Sequence, residues 1–359
     1  MIIGSKNKGD WSEFYVLLYL LGTGRLYAAD EKLQRMDRYH FPIKKIYRKE
    51  AADERIVFDL GTAGSVEIYF NDEFKKRIPA DTFRGWARSF LPRITAGVGS
   101  FSIPEAEEKL NSIYCKRLAA PSTDITDIKM QLHDPITGLE QIMGFSIKSY
   151  LGGAPTLLNA SGATNFVYEI IGLNDRDIES INAIETRAKI QERIQAITAK
   201  GGIIVFRKPA SSVFLGNLMM IDSLMEEIMG HLILYSYQTN ELDCTKLIRH
   251  LEEVNPIGYP RKGYYGYKFK KFLCAKALGM DPAEVWNGVD DANGGYIVAK
   301  TDGEVVAYHL YNRDKFEQYL FENTRLERAS TVKHDYAKIY KEKDKTYIKL
   351  NLQIRFKER

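Results

Sequence analysis

The chain is 359 residues long, 45% hydrophobic and 27% charged, a composition that excludes disorder as its dominant state and leaves room for one large or two modest domains. The longest nearly uninterrupted apolar run, Phe14 to Leu21, falls far short of the about 20 residues of a membrane span, and nothing at the N-terminus has the layout of a signal peptide, so a cytoplasmic protein with no membrane partner is expected. Cys115, Cys244 and Cys274 lie far apart with no CxxC pair, which excludes a disulfide framework or cysteine-rich zinc site and marks them as buried small hydrophobes. The formal charge of +4 argues only weakly for a polyanionic partner.

Taken in chain order, a helix is predicted from Asp10 to about Leu21, with Phe14, Leu17, Leu18 and Leu21 at helical spacing and Gly22 and Gly24 stopping it. Short strands follow near 42–47, 56–60 and 65–70, then a helix over 104–118 that opens on Pro104. Strands are predicted at 127–133, 140–149, 164–170 and 203–206, a long apolar helix at 212–235, and two more helices at 244–254 and 267–278. Further strands and a helix reach Asn323, and the chain closes on a strand over 346–356. The fold class is α/β in the mixed α+β sense, with a sheet assembled early and a helical, basic second half.

The charge is segregated. Between Arg261 and Lys276 there are six basic residues, Lys262, Lys270 and Lys271 among them, and no acidic one; residues 323–359 carry a local net of +6. The rest of the chain is net −8. Such segregation, with tyrosines interleaved, is the footprint of a phosphate-backbone binder, although Phe269, Phe272, Leu273 and Lys276 also fit an amphipathic helix with a solvated basic face.

The segment 127–148 reads as two alternating strands around the Asp134-Pro-Ile-Thr-Gly-Leu139 turn. If Asp134 faces Leu139, His133 lies opposite Glu140, Lys129 opposite Gly144, and Asp127 opposite Ser146. Ile128, Met130 and Leu132 then share one apolar face with Met143, Phe145 and Ile147. Lys148 emerges beside Asp127 and Ser146. A carboxylate on one strand and an x-Lys on its antiparallel neighbour is the arrangement of the PD-(D/E)xK nucleases: the acid binds Mg²⁺ beside the scissile phosphate, and the lysine positions or deprotonates the attacking water. Here the middle acidic position is Ser146, a poor ligand for a hard cation, so a second carboxylate is expected from elsewhere. Glu13 on the first helix is the leading candidate, against the alternative that Asp10-Trp-Ser-Glu13 is a capping box with Glu13 in a structural role; Glu169 stands in reserve.

At this hairpin a family resemblance becomes specific. GFSIKSYLGGAPTLLNASGATNF (Gly144–Phe166), NKGDWSEFYVLLYLLGTGRLYAAD (Asn7–Asp30), FENTRLERASTVKHDY (Phe321–Tyr336) and YIKLNLQIRF (Tyr347–Phe356) resemble the HpaII family of type II restriction endonucleases, end to end. The resemblance implies a Mg²⁺-dependent phosphodiesterase on double-stranded DNA, acting as a homodimer on a short palindrome, CCGG for the namesake, and paired in function with a cognate DNA methyltransferase. It implies Asp127 as metal ligand, Lys148 as the water-activating base, Ser146 as the variant position beside them, and Glu13 as the glutamate of the WSE motif. Gly152–Asn165 becomes an active-site loop whose Asn159, Ser161, Thr164 and Asn165 reach DNA, with a plain connecting loop as the alternative. A nuclease core over 1–206 and a DNA-recognition and dimerisation region over 207–359 are expected.

Arg325-Leu-Glu-Arg328 joins the best bidentate readers of guanine, Arg325 and Arg328, to Glu327, which can accept from cytosine N4; Lys333 and His334 extend the stretch. The alternative is a solvated helix end with an ion pair of little weight. Other catalytic readings fail: Gly258-Tyr-Pro-Arg-Lys-Gly263 lacks the Lys-Ser/Thr of a phosphate loop, and there is no HExxH or GxSxG. Two competing functions remain, a sequence-specific DNA-binding protein with a degenerate nuclease core and a DNA-repair nuclease.

Overall fold

The first helix, α1 (Lys8–Thr23), starts earlier than its apolar spacing indicates, because Asn7 is the N-cap and its side chain accepts the Asp10 N–H. Asp10 therefore caps nothing, and Glu13 is not the third residue of a capping box. Gly24, at φ +63°, ends the helix with its N–H on Leu20 O. Gly22 lies inside it, where a Cβ would come within 2.7 Å of Arg84 on the helix packed alongside, α2 (Ala80–Ala96). The sequence reading omitted α2: its buried Phe83, Ala87, Phe90 and Ile94 have helical spacing, but Gly85 and the internal Pro92 mask it.

These features belong to a computed structural model that describes residues 4–30, 32–120, 126–308, 313–334 and 336–358. The chain divides into two units. The first comprises 1–155, 277–279 and 290–316; the second comprises 156–276, 280–289 and 317–359. The division thus falls earlier than the expected 206/207 boundary, and the chain crosses back for 290–316. Among the described residues no helix is long and apolar enough to cross a membrane, and all three cysteines are buried.

The first unit is built on a nine-stranded sheet of β1 (Arg25–Ala29), β2 (Arg35–Ala51), β3 (Glu54–Asp59), β4 (Ser65–Phe70), β5 (Glu73–Pro79), β6 (Ile128–His133), β7 (Glu140–Ser149), β8 (Gly295–Ala299) and β9 (Val305–Tyr308). The spatial order is β1-β9-β8-β7-β6-β2-β3-β4-β5, and β1 also pairs with the start of β2. The β6–β7 hairpin has the register its alternation predicts, with His133 opposite Glu140 and Ile128 opposite Phe145. Strand β7 is central, antiparallel to β6 and parallel to β8. With neighbours on both edges and α1 over one face, its residues 144–147 are all buried. Gly144 is required there: a Cβ would lie 2.6 Å from Thr126 Cγ2 and 2.8 Å from Asp291 O.

The second unit is not simply helical. It holds a four-stranded sheet in the order Ile203–Pro209, Asn165–Ile171, Lys345–Asn351, Ile339–Glu342, and a three-stranded sheet in the order Thr156–Leu158, Ile354–Phe356, Thr324–Leu326. The expected closing strand is therefore two strands in different sheets, and the expected 212–235 helix is two helices, Ser212–Ile221 and Met225–Thr239, parted at Asp222. Helices Asp175–Asn182 and Lys189–Ala199 were not foreseen. The helix Cys244–Val254 has its expected bounds.

Candidate active site

Asp127 stands just before β6, fastened to β7 by its backbone N–H on Phe145 O at 2.9 Å. Its carboxylate is held as well: Oδ2 accepts the Ile147 N–H at 2.5 Å and the Ser146 hydroxyl at 3.1 Å. Ser146 therefore orients the aspartate.

Glu13, on the sheet-facing side of α1, sits among buried residues of that helix, and its Oε2 accepts the Ala120 N–H at 2.9 Å. Its carboxyl is pushed up to about 8, by burial first and then by the negative charge of Asp127, against the lowering effects of the Ala120 N–H and Arg48. Lys148, two residues beyond Ser146, has its Nζ 5.1 Å from the centre of the Tyr296 ring. Burial holds its ammonium below the usual lysine value, while Asp127 and Glu13 act in the opposite direction.

Glu13, Arg48 and Asp127 share a narrow crevice of about 20 Å³ with Leu17, Ile46, Tyr47, Ile128 and Ile147. That volume suffices for one water-sized occupant, since about 10–15 Å³ is the minimum. Two adjacent carboxylates are a donor set that fits Mg²⁺, which is bound through one or two carboxylates and completes its shell with water and phosphate oxygens. Among the described residues no group of three His, Cys, Asp or Glu forms a fuller site. Glu169 lies in the second unit, ion-paired to Arg207 at 2.8 Å and Lys345 at 3.3 Å. Burial works to raise its carboxyl, and the hydrogen bonds and positive charges of Lys345 and Arg207 together hold it below the usual value.

Asp127 also borders an open cleft of about 570 Å³ whose walls carry Arg48, Lys49, Arg55 and Lys129. Sequence reasoning passed over these bases because it looked for charge runs; here they come from three strands that only the sheet brings together. Beneath the cleft, Glu50 is buried and accepts Arg48 Nε at 2.5 Å, Lys116 N at 2.7 Å and Arg117 N at 3.1 Å. The Arg48–Glu50 pair thus clamps the segment leading to Ala120, whose N–H meets Glu13.

The proposed DNA contacts divide sharply. Thr164 and Asn165 are buried in a polar network in which Asn351 Nδ2 donates to Ser161 O, Thr164 Oγ1 and Asn165 Oδ1, and Asn165 Nδ2 donates to His334 O. Arg328 lies over the Tyr237 ring at 3.8 Å and donates to Ser236, so it is a packing residue rather than an outward fork. Lys271 grips the buried Glu317 at 2.7 Å, and Lys270 Nζ is 3.4 Å from Gln318 Oε1. Asn159, Lys262 and Lys333 are exposed, Ser161 and His334 half-buried. Arg325 and Glu327 are half-buried near one another, 3.7 Å between charged atoms, and the same glutamate accepts from Arg355, which sequence reasoning missed.

Residues 7–356 match the family model described as HpaII restriction endonuclease. Over 98% of this chain and 98% of the relative, the sequence is 39% identical to the type II restriction enzyme HpaII of Haemophilus parainfluenzae. No solved structure matches. With the match spanning nearly every element described above, including Glu13, Asp127 and Lys148, the chain belongs to the HpaII restriction endonuclease family.

Proposed function

We propose that this member of a family of site-specific deoxyribonucleases hydrolyses double-stranded DNA with Mg²⁺ at a short palindrome, CCGG or a related G·C-only site, using Glu13, Asp127 and Lys148. The observation that carries the assignment is the shared crevice of Glu13 and Asp127, with Lys148 on the strand whose Ser146 and Ile147 bond Asp127. Mg²⁺ held by the two carboxylates would polarise the scissile phosphate and offset the charge that develops on it. Ser146 and the Ile147 N–H fix the Asp127 carboxylate, and the Ala120 N–H fixes that of Glu13. Lys148 Nζ, its ammonium destabilised by burial, takes or holds the proton of the attacking water. Lys262, Lys270 and Lys333 supply phosphate contacts, and Arg325 reads guanine. The protein works in the cytoplasm as a homodimer, whose two-fold axis matches that of a palindrome, alongside a methyltransferase that protects the host's sites.

Plasmid DNA incubated with Mg²⁺, and in parallel with EDTA, tests this reading. Discrete fragments that require Mg²⁺ are expected. Tight binding without cutting would instead favour a degenerate nuclease core, and structure-selective nicking a repair nuclease.

A further inference from the structure

The three-stranded sheet of the second unit has one apolar and one polar face. Thr324, Leu326, Ile354 and Phe356 are almost fully buried, while Arg325 and Arg355 alternate with them on the other side. The register sets Thr156 opposite Arg355 and Arg355 opposite Arg325, a row across all three strands. Like charges directly opposite on antiparallel strands are destabilising. Glu327 answers both guanidiniums, 2.7 Å from Arg355 Nε and 3.7 Å from Arg325. The three side chains keep about a quarter to a third of their surface exposed (29% for Arg325, 24% for Glu327, 34% for Arg355). Its backbone is rigid: the Arg325 strand bonds to the Arg355 strand on one edge and bridges to Asp243 on the other, and Leu326 N donates to Leu242 O.

Two planar forks, locked side by side on a sheet surface by one shared carboxylate, match what a G·C-only site displays, because guanine O6 and N7 form a pair of acceptors in a major groove that admits β-strands. We propose that Arg355 reads guanine together with Arg325, and that Glu327 is the positioning residue that orients both forks. The inference rests on the reading of the chain as an enzyme acting at a G·C site, and adds to it a residue from the far end of the sequence, placed in register by the sheet.

The test compares full-length wild type with Arg355→Lys, which keeps the charge beside Glu327 and loses the fork, and with Glu327→Gln. Binding is measured without Mg²⁺ to the duplex that wild type selects from a random pool, to a scrambled duplex of equal composition, and to the selected duplex carrying 7-deazaguanine, which lacks the N7 acceptor. Arg355→Lys is expected to weaken selected-duplex binding roughly 10- to 100-fold and scrambled binding by less than about threefold. The 7-deazaguanine penalty of wild type should shrink in Arg355→Lys, leaving the share read by Arg325, and shrink in Glu327→Gln. An unchanged preference for the selected duplex, equal weakening on both duplexes, an undiminished 7-deazaguanine penalty, or failure of wild type to select any sequence would each overturn the proposal. A wild type that selects a duplex but leaves it uncut in Mg²⁺ refutes the nuclease reading alone, since the binding comparison stands without cleavage.

Discussion

Ser146 Oγ donates to Asp127 Oδ2 across the β6–β7 hairpin at 3.1 Å, so the serine acts through a hydrogen bond on the aspartate proposed to hold the metal. The Ile147 N–H supplies a second, shorter bond to the same oxygen. Ser146→Ala should therefore leave Asp127 held by one bond, and the loss of a hydrogen bond to a charged group is about 1.5–3 kcal/mol at most. A rise in the Mg²⁺ concentration needed for half-maximal cleavage, with near-normal DNA binding, is expected in a metal titration. An unaltered Mg²⁺ requirement would show that the serine does no orienting.

Replacing the reactive groups themselves should have a larger effect. Asp127→Ala or Lys148→Ala is expected to abolish cleavage while the variants fold and bind DNA, because both side chains lie at the polar end of the hairpin and not among the apolar positions of its core face. Single-turnover cleavage and gel-shift binding, run on the same preparations, check this. Full cutting by either variant would remove the hairpin from the chemistry.

Glu13 carries a pH signature. Its proton is held up to about 8 in the folded chain against an ordinary value of 4.5, so between these limits the folded state binds more protons than the unfolded one. This group's contribution to metal-free stability is therefore fully present below 4.5 and lost as the pH rises through about 8, with a slope of at most about 1.4 kcal/mol per pH unit. Glu13→Gln, neutral at every pH and still able to accept the Ala120 N–H, lacks that loss. In EDTA the variant should melt close to wild type near pH 4.5 and above it near pH 8, and added Mg²⁺ should raise only the wild type appreciably. A gap that stays constant with pH would show that Glu13 is not a buried, repelled carboxyl.

The basic residues of the second unit should separate by what they already hold. Lys262 is exposed, so Lys262→Ala is expected to weaken cognate and random DNA alike and to reduce the log–log salt slope by about 0.9, with little change in melting. Lys271 bonds the buried Glu317 at 2.7 Å, and Lys271→Ala should destabilise the fold by about 1.5–3 kcal/mol, the scale of a hydrogen bond to a charged group. Denaturant melts and salt-dependent binding of the two variants distinguish the roles; a Lys271→Ala protein of normal stability would return that lysine to the phosphate contacts.

What the sequence determined by itself was local and periodic. Alternation with period two is written residue by residue, so the β6–β7 register, and with it the neighbourhood of Asp127, Ser146 and Lys148, followed without tertiary information. The Cys244–Val254 helix followed in the same way from its 3.6-residue apolar spacing. Charge, capping and hydrogen-bond partners were decided by the tertiary structure, because a polar side chain bonds to whatever the fold brings near. Asp10 and Glu13 have capping-box spacing, yet Asn7 takes the cap and Glu13 meets Ala120, 107 positions away. Arg328 looks like a base reader in Arg-Leu-Glu-Arg until Tyr237 and Ser236 claim it, and Arg355 stands next to Arg325 only because their strands pair. Thr164 and Asn165 look like loop residues facing DNA, but Asn351, from a distant strand, donates to both and draws them into a buried network.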